Sequence, residues 1–202
     1  MNVALIDHGV GNLRSVEKAL TAVGGDVVLT ADPKRIQMAD KVVLPGVGAF
    51  ADAMRGLEER RLRRPVLAAI EEHKPLLGIC VGMQMLFEVS EEHGEHEGLG
   101  VLPGRVVRFQ SESLTIPQTG WNQIRPVRES PLIKGLPENS YAYFNHTYYC
   151  VPENPDHVLA TTQYGLFYAS MVQRGSLYGV QFHPEKSQQV GLAILGNFIH
   201  AC

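Results

Sequence analysis

Cysteine is scarce in this sequence: among 202 residues it occurs only as Cys80, Cys150 and Cys202. The count is odd, the spacing is wide and no pair stands at Cys-x-x-Cys. A disulfide framework and a structural zinc site are therefore excluded as organising features, and a reducing cytoplasm is the expected compartment. Long apolar runs are also missing. Val42-Val43-Leu44 and Leu76-Leu77-Gly78-Ile79 are strand-length, so no segment suits a membrane-spanning helix. An excess of one charge is lacking too. The formal net charge of -3 gives no general attraction to nucleic acid or to acidic membranes. There is no internal repeat, low-complexity tract or domain linker. Met1 to Asp7 has no basic leader before its apolar residues and reads as a first strand rather than a signal peptide.

What is present is a sizeable core: 45% hydrophobic residues against 19% charged. That composition predicts one folded domain over residues 1–202. Asn2 to Ile6 predicts a strand, broken by Asp7-His8-Gly9-Val10-Gly11. Asn12 is placed to cap a helix with Leu13, Val16, Leu20 and Val23 at helical spacing, and Gly24-Gly25 stops it. Strands follow at Asp26 to Thr30, Val42 to Leu44 and Leu76 to Ile79. Helical stretches lie near Phe50 to Leu57, Arg64 to Glu72 and Val81 to Glu88. This alternation predicts a parallel sheet with helices on both faces. The second half reads as short strands near 105–109, 141–144, 158–160, 168–172 and 177–182. A closing helix covers 190–199, and 126–137 is the most loop-like stretch. The expected class is thus α/β: one flavodoxin-like mixed sheet, parallel at its core and fed by antiparallel strands.

The strongest local pattern is Gly78-Ile79-Cys80-Val81-Gly82-Met83-Gln84. Small residues two before and two after a nucleophile are what a sharp strand-to-helix turn needs, because they relieve the crowding around a strained residue. Such a turn lifts the sulfur above the sheet beside a helix N-terminus, which favours thiolate. Without that frame a lone cysteine after an apolar strand reads as a core thiol; Cys150 and Cys202 lack the frame. A sulfur nucleophile needs a proton partner. His183, in Gln181-Phe182-His183-Pro184-Glu185, also ends an apolar strand, and Glu185 stands close enough to orient its ring. Read alone, the same segment is equally a surface turn. His93 and His96 lie in a Gly-broken, charged stretch that reads as a solvated loop rather than a metal site. Pro45-Gly46-Val47-Gly48 is a strand-to-helix loop whose N–H groups, with that of Val81, can serve an oxyanion. A phosphate loop is disfavoured, since no Lys-Ser or Lys-Thr follows, and Gly9-Val10-Gly11 lacks the third glycine of a dinucleotide site.

Pro45-Gly46-Val47-Gly48-Ala49-Phe50, Gly78-Ile79-Cys80-Val81-Gly82-Met83-Gln84 and Gln181-Phe182-His183-Pro184-Glu185-Lys186-Ser187 occur in that order. With them the chain resembles the class I triad glutamine amidotransferases. Within these it is similar to the glutaminase subunits of imidazole glycerol phosphate synthase, through Gly11-Asn12-Leu13, Gly120-Trp121-Asn122 and Tyr143-Phe144-Asn145-His146-Thr147-Tyr148. The resemblance implies glutamine hydrolysis to glutamate in histidine biosynthesis. Cys80 would carry the thioester, His183 would act as acid and base, and Glu185 would orient it. Val47, Gly48 and Val81 would form the oxyanion site, and Gly48, Gln84, Thr147 and Tyr148 would hold glutamine. It further implies ammonia transfer to a (β/α)₈-barrel cyclase subunit facing Asn12, Trp121, Tyr143 and Lys186. No metal or organic cofactor is implied. The His-Met pair of many relatives is replaced here by Gln118-Thr119, and no role follows for those two.

Overall fold

The computed structural model describes residues 1–110 and 114–202. The chain runs β1 (Asn2–Ile6), α1 (Leu13–Ala22), β2 (Asp26–Thr30), α2 (Pro33–Met38), β3 (Lys41–Gly46), α3 (Phe50–Glu59), α4 (Arg63–Glu71), β4 (Leu76–Cys80) and α5 (Val81–Gln84). It continues through β5 (Phe87–Ser90), β6 (His96–Glu97), β7 (Leu102–Arg108), β8 (Gln118–Gln123), β9 (Arg125–Pro126), β10 (Tyr141–His146) and β11 (Tyr148–Pro152). It ends with β12 (Val158–Tyr164), β13 (Leu166–Arg174), β14 (Leu177–Val180) and α6 (Gln188–His200). Among the described residues twelve strands join in one sheet. Its order is β2-β1-β3-β4-β14-β13-β11-β7-β5-β6, with β12 on β13 and β9 on β12. β8 and β10 form a separate antiparallel ribbon.

From β2 to β14 every pairing is parallel. β3 and β4 are buried at every position, which is why they read as unbroken apolar runs rather than alternating ones. Right-handed crossovers then dictate the layers: a connection running one way along the sheet puts its helix on one face, and one running back puts it on the other. Accordingly α1 packs with α6, and α2 packs with α4. Beyond β14 the pairing turns antiparallel through β13, β11 and β7. The expected mixed α/β sheet is therefore the observed one. At its centre lie fully buried rings such as Phe50, Phe144, Phe182 and Phe198, each contributing about 1.5–3 kcal/mol by leaving water. A buried charge at the start of β3 is also resolved: the Lys41 ammonium donates to the Phe198 carbonyl at 2.7 Å and lies over the Phe198 ring, tying α6 to the sheet.

Three expectations are corrected. The helix expected over Val81 to Glu88 is a single turn, Val81–Gln84, followed by β5. Met83, Met85, Leu86 and Phe87 are all fully buried, so this stretch has no polar face for a longer helix to turn to solvent. Phe87 to Ser90 instead pairs with β7 and β6. Asn12 precedes α1 but makes no side-chain cap bond. The charged stretch at 91–97 is not wholly a solvated loop: His96 and Glu97 form the edge strand β6, and Glu92 turns inward.

Candidate active site

Ligands of parallel α/β sheets bind outside the carboxyl ends of the strands. Here β3, β4 and β14 end side by side, and their continuations bring Val47, Cys80 and His183 to one cavity of about 430 Å³. Gly48, Val81, Gln84, Thr147, Tyr148, Asn12 and Lys186 line the same cavity. Cys80 closes β4 with φ 54° and ψ −113°, a conformation that costs a non-glycine residue about 1–3 kcal/mol. The neighbouring glycines make that turn sterically feasible. A Cβ at Gly82 would lie 1.9 Å from the Leu44 carbonyl oxygen, so only a bare Cα lets α5 cross β3 this closely. Gly48 is needed for a different reason: its φ is +82° with open space around it.

His183 is held from three directions. Its N–H donates to the Tyr143 carbonyl at 2.9 Å, and its own carbonyl accepts from Ser187 Oγ at 2.6 Å. Its Nδ1 lies 3.0 Å from Glu185 Oε1 within a buried pair. A carboxylate only accepts, so Nδ1 carries the proton and Nε2 is left to face the Cys80 sulfur. Burial by itself would lower the imidazole pKa. The hydrogen bonds and charges of Cys80 and Glu185 outweigh it and push His183 up to about 10. Glu185→Gln removes one of those supports. The His183 midpoint, followed by NMR titration, is then expected to fall by about one to two pH units. An unchanged midpoint would mean that Cys80 alone holds the proton.

Residues given no role from the sequence extend the site: Glu92 and His146 line the cavity, and the fully buried Gln181 contacts Cys80 and Gln84. Gln181 donates from Nε2 to Cys80 Sγ at 3.8 Å and accepts on Oε1 from Gln84 Nε2 at 3.1 Å. Gln84 also donates to the Tyr148 carbonyl, at 3.1 Å. The same carbonyl receives His146 Nδ1 at 2.7 Å. Burial lowers His146 to about 4, so this second imidazole stays neutral beside the first. Glu92 accepts from the Phe50 N–H at 2.6 Å, giving α3 the acceptor that Ala49 at its N-cap cannot supply. Gln181, two positions before His183 in the segment that follows β14, was within reach of a same-side argument from the spacing. Glu92 had no comparable sequence signal, and His146 stood within the Tyr143-to-Tyr148 segment without a role of its own.

Trp121 and Tyr143 do not line the cavity; they are register partners on the β8–β10 ribbon with ring centroids 6.1 Å apart. Lys186 Nζ lies 5.7 Å from the centre of the Tyr143 ring. Trp121 is 45% exposed, which is high for the sole tryptophan. Cys150 is fully buried in β11, near enough to Cys80 to feel its charge, and burial above all pushes its thiol pKa well up.

The model of the family "Glutamine amidotransferase class-I" matches residues 4–202. The imidazole glycerol phosphate synthase subunit HisH of Salinibacter ruber is 51% identical over 200 residues, covering 96% of this chain and 92% of that protein. The subunit of the same name from Aquifex aeolicus is 49% identical over 199 residues, covering 98% and 96%. Among solved structures, PurLQS from Thermotoga maritima superposes with a TM-score of 0.77 at 17% identity, covering 98% of this chain and 97% of that one. The glutaminase domain of Trypanosoma brucei CTPS, solved with bound acivicin, gives 0.68 at 15% identity, covering 98% and 94%. These two share the fold. Family model and relatives together establish that the chain belongs to the class-I glutamine amidotransferases.

Proposed function

We propose that this chain is the glutamine-hydrolysing subunit of an imidazole glycerol phosphate synthase and supplies ammonia to a (β/α)₈-barrel cyclase in histidine biosynthesis. One observation carries the chemistry: a sulfur on a strained strand end shares a cavity with an imidazole whose far nitrogen is fixed by a carboxylate. The relatives of about 50% identity over nearly the whole chain carry the pathway.

In this reading Cys80 Sγ adds to the side-chain carbonyl carbon of glutamine. The negative charge that develops on oxygen is met by the N–H groups of Val47, Gly48 and Val81, each such donor being worth about 10²–10³ in rate. His183 gives its proton to the amide nitrogen, the C–N bond breaks and ammonia leaves. Water, deprotonated by the same imidazole, attacks the thioester carbon; the C–S bond breaks and glutamate departs. Glu185 keeps the ring in the one tautomer that both steps need. Gln84, with the backbone at Gly48, Thr147 and Tyr148, holds the substrate. Asn12, Trp121, Tyr143 and Lys186 face the cyclase. The reaction belongs in the cytoplasm, with neither nucleic acid nor membrane as partner. No helix of the described residues is long and apolar enough to cross a membrane.

The test is glutamate release by the chain alone, with the cyclase, and with cyclase plus its nucleotide substrate. Release is expected to be weak alone and strong with both. Equal release in all three conditions would remove the synthase assignment while leaving the glutaminase intact. No release in any of them would remove both.

A further inference from the structure

His8 follows β1 and is 1% exposed, yet nothing in the chemistry above uses it. Its Nε2 lies 2.6 Å from the carbonyl oxygen of Pro45, the residue that opens the loop to Val47 and Gly48. The sheet explains why that carbonyl needs a partner. β1 and β3 pair at Val3 with Lys41, Ala4 with Val42 and Leu5 with Val43, and the pairing stops there. β3 continues against β4, with Pro45 opposite Ile79 and Gly46 opposite Cys80. Where β1 has peeled away, the His8 ring reaches the carbonyl that the ladder leaves open.

The peptide bond turns this contact into a constraint. A trans peptide is planar, with its C=O and N–H pointing in opposite directions. A Pro45 carbonyl held on the β1 side sends the Gly46 N–H toward β4, where Cys80 stands opposite. The peptides of Val47 and Gly48 start from that fixed plane. Gly56 packs so closely under His8 that a Cβ there would lie 2.1 Å from the His8 carbonyl oxygen, which denies the ring's backbone room to retreat. A carbonyl only accepts, so the ring carries its proton on Nε2. Nδ1 has no hydrogen-bond partner among the described residues. Burial lowers the pKa of this imidazole, which fits a neutral ring.

We propose that His8 is a positioning residue for the oxyanion loop, fixing the Pro45–Gly46 peptide by a single buried hydrogen bond and thereby aiming the N–H groups that follow. The inference rests on the glutaminase reading above and adds a residue to that site. His8 touches no substrate in it, so the expected defect lies in transition-state charge stabilisation rather than in the nucleophile or in glutamine binding.

The experiment uses the complex with the cyclase and compares His8→Phe, which keeps bulk without the donor, with His8→Gln, which keeps a donor. Two rates are read: glutamine hydrolysis, and alkylation of Cys80 by iodoacetamide, a displacement in which no oxyanion forms. His8→Phe is expected to lower kcat for glutamine by about 10- to 100-fold, as for loss of one buried hydrogen bond. KM and the alkylation rate stay near wild type, and His8→Gln recovers most of kcat. An unchanged kcat in His8→Phe overturns the proposal, as does an equal fall in alkylation or an equal loss in both variants. If His8→Phe does not fold, ¹⁵N NMR of the wild-type imidazole decides: a proton on Nε2 supports the proposal, and one on Nδ1 overturns it. Failure of the glutaminase reading shows separately, as a wild-type Cys80 whose alkylation glutamine does not slow.

Discussion

In Cys80→Ala, glutamine-dependent turnover by the complex with the cyclase is expected to fall by about 10⁴-fold or more. Turnover supplied with ammonium salts should stay at the wild-type level. Without a sulfur there is no covalent step, and neither Gln181 nor His183 offers another nucleophile at that strand end. The substitution removes one atom and with it the partner of Gln181 Nε2 and His183, but the Cys80 side chain caps no helix and joins no disulfide. It also relaxes nothing, because alanine meets the same strain at φ 54°. Folding and association with the cyclase should therefore persist. Assay of both nitrogen sources on one preparation is the measurement. Loss of ammonium-dependent turnover as well would mean that Cys80 serves the assembly and not only the release of ammonia, and the division of labour between the two subunits would fall.

A large effect on stability is expected at Gly82. Its added Cβ would sit 1.9 Å from the oxygen and 2.8 Å from the carbon of the Leu44 carbonyl, both backbone atoms of a central strand paired on either side. No side chain can rotate away to make room. Either α5 lifts off the sheet, carrying Val81 and Gln84 with it, or β3 distorts. Gly82→Ala is expected to cost about 3–5 kcal/mol, above ordinary overpacking. For a chain of this length that lowers Tm by about 10–15 °C. Gly175→Ala is the control. That glycine has φ +58° with nothing within 4 Å, so the substitution should cost only about 1 kcal/mol. Calorimetry on the two variants separates steric exclusion from backbone conformation. Equal shifts would show that α5 can move away from β3 after all.

The parallel half was legible because its inner strands β3 and β4 are buried at every position and announce themselves as apolar runs. β1 and β2 stand at the residues the sequence predicts, and α1 begins where its spacing does. α2 was missed although its signal was present: Asp32 caps it, accepting from the Lys34 N–H at 2.9 Å, and Pro33 opens it. The stretch after Gln84 misled because full burial hides whether an apolar run will coil or extend. At the site, legibility followed sequence distance. Cys80 carries its glycines beside it and His183 its carboxylate two residues on. Glu92 meets Phe50 across 42 positions and His8 meets Pro45 across 37, so no short pattern contains either pair.

β14 lies between β4 and β13, parallel to one and antiparallel to the other, and it delivers His183. The order of synthesis therefore has a chemical meaning. The thiol leaves the ribosome long before the base that would set it to work, and until the last strand slots in, β4 presents an open hydrogen-bonding edge. A nascent or truncated chain is thus expected to be hydrolytically silent but prone to stick to other chains. Competence to release ammonia and protection from aggregation arrive together, in the closing of one gap.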